Sequence, residues 1–75
     1  MATKQQILDF IESKDNEVHN EVAFIIHNWT TLFSNLGRFS SVKLSEVLFS
    51  KAKRYRELSM ESKAIGFYDI GILLA

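Results

Sequence analysis

An all-α fold, a small bundle of three to four helices that pairs into a dimer, is what this 75-residue chain predicts, and three features carry that reading. Val18, Val22, Ile25, Trp29, Leu32 and Leu36 recur at spacings of four, three, four, three and four, a seam that an α-helix places on one face. The chain has no proline and only three glycines, so few positions force a break. Its apolar content of 47% is enough for a core and unlike that of a disordered segment.

The elements follow in order, at about residues 4–13, 17–36, 41–58 and 60–74. Thr3-Lys4-Gln5-Gln6 has the form of a capping box, and Ile7, Leu8, Phe10 and Ile11 give the first helix its apolar face. An isolated helix of that length is marginal in water, so it must dock on the second. Asn16 is the expected N-cap of a long central helix that carries the seam, with Glu17 at the positive end of its dipole and Gly37 as a left-handed C-cap. At 1.5 Å per residue such a helix is roughly 30 Å long, a spine for the whole domain. Phe24 stands apart from its seam, among Asn20, His27, Asn28 and Thr31.

Ser40 or Ser41 can cap a third helix whose inward face is Leu44, Val47, Leu48, Tyr55 and Leu58, with Lys51 inside that stripe. Val42, Phe49, Lys53 and Arg56 cluster on its outer side. Continuing that helix past Ser59 would put Ser62 and Asp69 on its seam, whereas restarting at Met60 gives Met60, Ala64, Phe67, Gly71 and Leu74. A break near Ser59 is therefore expected, with the neighbouring serines as candidate caps. The last helix is apolar on nearly every side, since Ile65, Ile72 and Leu73 face away from Phe67 and Leu74. A helix apolar all round is buried all round, which predicts a homodimer interface made by Ala64, Ile65, Phe67, Gly71, Ile72 and Leu74, the small residues letting a second helix approach. The residues from Ile65 to Ile72 also suit a β-strand, but no partner strand is evident.

Size and charge bound the function. At 75 residues the chain is one domain that removes only about 60% of its extended surface from water, and without cysteine it has neither disulfides nor thiolate ligands to reinforce it. Neither a secretory signal pattern nor an apolar run of about 20 residues is present, which predicts a cytosolic protein. The nine cations and nine anions are unevenly spread: two cations and five anions up to Gly37, then seven cations and four anions, so the halves carry −3 and +3. That asymmetry favours association of unlike halves over general attraction to nucleic acid.

Chemistry-bearing constellations are few. His19 and His27 are eight residues apart, not the four that helical zinc pairs use, so no metal is expected. Glu17 and Glu21 share a helix face, as solvated carboxylates commonly do. There is no nucleophile elbow and no phosphate loop, so neither catalysis nor a cofactor is expected. Asn28-Trp29-Thr30 has the glycosylation pattern but falls inside the expected long helix.

What remains is apolar surface out of place. Phe24, Phe49 and the far side of the last helix cannot all be buried in a monomer of this size, and such patches mark association sites. The sequence thus predicts a non-catalytic protein-binding regulator, inhibitor or adaptor, homodimeric through its last helix, with Phe24 and a Phe49–Lys53–Arg56 face for an unidentified, acidic protein partner. Such a protein suits the accessory repertoire of a phage, plasmid or mobile cassette. The alternative is a small DNA- or RNA-binding regulator using Lys51-Ala52-Lys53-Arg54-Tyr55-Arg56, where cations and an interleaved aromatic could meet phosphates and bases.

Overall fold

The computed structural model describes residues 3–75, and among them every regular element is helical. The chain divides into two compact units, one ending at Ser40 and the other Ser41–Ala75.

In the first unit, α1 (Lys4–Glu12) starts at the expected capping box. Thr3 Oγ1 accepts from the Gln6 N–H at 3.1 Å, and Gln6 Oε1 accepts from the Thr3 N–H at 2.8 Å. Two of the four unpaired donors of the helix start are satisfied in this way. Ile7, Leu8 and Ile11 are buried as α1 packs on α2 (Glu17–His27), while Phe10 stays exposed. Asn16 caps α2, its Oδ1 accepting from the His19 N–H at 2.9 Å.

The single helix expected over residues 17–36 does not form. It is three pieces: α2, a one-turn α3 (Trp29–Leu32) and a 3-10 turn, Ser34–Leu36. The break has a local cause at Asn28, whose Nδ2–H and backbone N–H both donate to the Phe24 carbonyl, at 2.9 and 3.0 Å. A side chain that bonds the preceding turn competes with helix propagation, and the Thr30-Thr31 pair that follows is β-branched. A second cause is longer-ranged. Trp29 is buried, donates from Nε1 to the Gly37 carbonyl at 3.2 Å, and has the rings of Phe33 and Phe39 at 5.1 and 5.2 Å. These contacts fold residues 33–39 back around the indole, which a straight helix could not do. The seam is divided accordingly: Val22, Ile25 and Trp29 are buried, Val18 and Leu36 are half-buried, and Leu32 is exposed. Gly37 does stop the segment, but as the end of the 3-10 turn and not as a left-handed helix cap. Its φ of 70° and ψ of −135° lie where an L side chain is strained.

The second unit is a helical hairpin of α4 (Ser41–Glu57) and α5 (Glu61–Leu74), packed along their lengths. The ring of Phe49 meets Gly71 and the ring of Tyr55 stacks on Phe67 at 5.3 Å, so positions rise along one helix as they fall along the other and the pair is antiparallel. Leu44, Leu48 and Ala52 on α4 and Ala64, Phe67 and Ile70 on α5 are buried. The expected break near Ser59 is present. Ser59 has φ 61°, the Met60 N–H donates to the Tyr55 carbonyl at 2.8 Å, and the Ser59 N–H donates to the Arg56 carbonyl at 3.0 Å. Those two bonds form a Schellman motif with serine where glycine is usual. The serines do not cap α5, however: Met60 is its N-cap and supplies no side-chain hydrogen bond. Leu58, expected on the inward face, sits in the turn beyond α4 and is exposed. Among the described residues no helix is long and apolar enough to cross a membrane.

Candidate functional site

Both histidines are engaged in local structure. His19 Nδ1 lies 2.8 Å from Asn16 Oδ1, which already accepts the His19 backbone N–H, so the ring reinforces the α2 cap. Partial burial, and then the nearby Lys14 ammonium, lower the His19 pKa below its ordinary value, which keeps the ring neutral at pH 7. His27 Nε2 lies 3.7 Å from Glu12 Oε2 in a pair whose side chains are about half exposed, a geometry that contributes little. Among the described residues, no three His, Cys, Asp or Glu side chains come together as a metal ligand set.

The features that stand out are apolar. Phe24 on α2 is 58% exposed, as expected for a residue on the polar back of the seam. In the hairpin, Phe49, Lys53 and Arg56 of α4 line an open groove of about 360 Å³ together with Ala52 of α4 and Ala64, Ile65 and Tyr68 of α5. Two surfaces expected to be separate, the acidic-partner face of the third helix and the dimer face of the fourth, are therefore one. Phe49 is not a free anchor in it. Its ring lies half-buried against Gly71, with Tyr68 at 5.3 Å, and lines the groove.

The six residues expected at a dimer interface divide by helical face. Ala64, Phe67 and Gly71 are buried within this chain, and Leu74 is half-buried. Gly71 does allow close approach, as its small size suggested, but the group that uses the space is Phe49 of the same chain. Ile65 and Ile72 are 61% and 53% exposed, and with Tyr68 and Leu73 they make one apolar face along α5, at spacings of three, four and one residues. Asp69 is exposed on the same face, one turn after Ile65. Tyr68, Ala52 and Asp69 join the surface without any mark in the sequence analysis that sets them apart. The spacing Ile65–Tyr68–Ile72 would have revealed Tyr68, whereas Ala52 needed the α4–α5 pairing.

The basic run fares differently. Lys53, Arg54 and Arg56 are exposed and Lys51 is half-buried, but Tyr55 is already engaged: Phe67 stacks on its ring, and the Lys63 ammonium lies 4.5 Å from the ring centre. That ring is not offered to a base.

Comparison with protein-family models, with curated proteins and with solved structures finds no match to this chain.

Proposed function

We propose that this chain is a non-catalytic, cytosolic protein-binding regulator or adaptor that associates with itself through the α4–α5 hairpin and offers Phe24 on α2 to a second protein. The observation that supports this reading is the outward face of α5. Ile65, Tyr68, Ile72 and Leu73 together leave an apolar patch of a few hundred Å² in water, the size at which patches on small proteins become association sites. Ile65 and Tyr68 also line a groove with Phe49 and Ala52, so there is relief as well as apolar area. Nothing comparable supports nucleic-acid binding, since the aromatic ring of the basic run is occupied.

Sedimentation velocity over a concentration series tests the reading. The wild-type chain is expected to shift from monomer towards dimer with rising concentration, and Ile72→Glu to remain monomeric because a buried, unpaired carboxylate opposes association. Phe24→Ala, distant in function from that face, is expected to associate as wild type does. A wild-type chain that stays monomeric into the high micromolar range overturns the proposal.

A further inference from the structure

The groove and the α5 face carry charge in a pattern that fits a second copy of the same surface. Lys53 stands exposed on the α4 side of the groove, and Asp69 stands exposed on α5 within the apolar face. Among the described residues, neither forms an ion pair within its own chain. One patch thus holds an apolar centre, two cations, Lys53 and Arg56, on one helix and an anion, Asp69, on the other. In a two-fold interface the same patch serves both subunits and each contact occurs twice, so a patch with unlike charges on opposite sides is complementary to its own rotated image.

Position along the hairpin sharpens this. Tyr55 stacks on Phe67, so in the antiparallel pair Asp69, two residues after Phe67, stands level with Lys53, two residues before Tyr55. A two-fold axis that lies in the interface and runs along the hairpin keeps those levels. It lays each α5 over the other subunit's α4, with Asp69 opposite Lys53 of the partner subunit. Ile72, three residues beyond Asp69 and exposed on the same face, then descends beside Phe49 and Ala52 of the other copy.

We infer that two copies pair hairpin to hairpin as a two-fold four-helix bundle, with Ile72 of each seated beside Phe49 and Ala52 of the other and reciprocal Lys53–Asp69 contacts fixing the register. This rests on the self-association proposed above and specifies its geometry. The same charges disfavour the simplest competitor, two α5 helices crossing at Asp69, which would set like carboxylates face to face. The patch is smaller than the ~800 Å² per partner of a standard interface, so the pairing is concentration-dependent and not obligate.

Charge exchange tests the register. Lys53→Asp and Asp69→Lys, each at an exposed position and each checked for native helicity by circular dichroism, are expected to weaken dimerisation about tenfold or more, because each puts like charges opposite one another. An equimolar mixture of the two variants is expected to regain wild-type association, since the mixed dimer restores one pair and reverses the other. Variants that dimerise as wild type does, or a mixture with no recovery, overturn the inference. If Ile72→Glu still abolishes the dimer in that case, self-association through α5 stands and only this register fails. A monomeric wild-type chain overturns both.

Discussion

Ser59 holds the left-handed backbone that glycine holds at most helix ends, with φ 61° and the pair of Schellman hydrogen bonds that close α4. An L side chain in that conformation costs about 1–2 kcal/mol through its Cβ. Glycine removes that strain but loses more backbone freedom on folding, roughly 0.5–1 kcal/mol. Ser59→Gly is therefore expected to stabilise the chain by about 0.5–1 kcal/mol, read as a higher urea midpoint at unchanged m-value. Ser59→Val, which adds β-branching at positive φ, is expected to lower the midpoint. A lower midpoint for Ser59→Gly would show that the serine makes a contact worth more than the strain. The unusual residue also explains why the sequence placed this break only approximately: a glycine would have marked it, whereas a serine among other serines reads as a cap for the next helix.

Between elements, α4 comes close to α5 at Gly71, where an added Cβ would sit 2.7 Å from Phe49 Cε1 and 2.9 Å from Cδ1. Two effects oppose each other on Gly71→Ala. Helix propensity favours alanine by about 1 kcal/mol. Overpacking costs about 1–3 kcal/mol, and the Phe49 ring is hemmed by Tyr68 on α5, so its room to retreat is limited. The clash is expected to win, lowering stability by about 1 kcal/mol. In a Phe49→Leu background the clash is gone, and the same substitution is expected to stabilise; that reversal, measured by chemical denaturation of the four chains in a double-mutant cycle, is the decisive outcome. A substitution at Gly71 thus reports on hairpin packing and not on pairing between copies.

The same element scale separates what was legible from what was not. The Thr3 and Asn16 caps, the stop at Gly37 and the restart at Met60 depend on residues within one turn of each other, and the sequence displays them. The break at Asn28 was hidden because the three–four spacing runs on through Trp29, Leu32 and Leu36, so periodicity continues where the helix does not. Its causes are a backbone carbonyl captured by an asparagine and an indole reaching a carbonyl eight residues on, neither of which periodicity records. For the candidate site, Phe49, Lys53, Arg56, Ile65 and Ile72 were legible one by one as residues on the wrong side of their helices. That the first four share a groove follows from which helix pairs with which, and this was not legible.

At the scale of the whole molecule, charge and size act together. With the unit boundary at Ser40, the first unit has three cations and five anions and the second six cations and four anions, a balance of −2 and +2. A uniformly signed hairpin would repel its own copy; α4 and α5 escape this because the second unit keeps four anions among its cations, Asp69 with them. Size then makes pairing matter for folding. A chain of 75 residues buries a modest share of its surface and has little stability to spare, so dimerisation adds to stability wherever it is populated. Mass action sets the scale: once most chains are paired, a tenfold rise in concentration adds about 1.4 kcal/mol per dimer, or about 0.7 kcal/mol per chain. For a domain of this length that corresponds to a Tm roughly 3–5 °C higher. Calorimetry of the wild-type chain across a hundredfold concentration range is expected to show this rise above the dissociation constant, while Ile72→Glu melts at one temperature throughout. A wild-type Tm independent of concentration in the range where sedimentation finds dimer would mean that pairing occurs equally in the unfolded ensemble, and the folded hairpin face could no longer be what the two copies recognise.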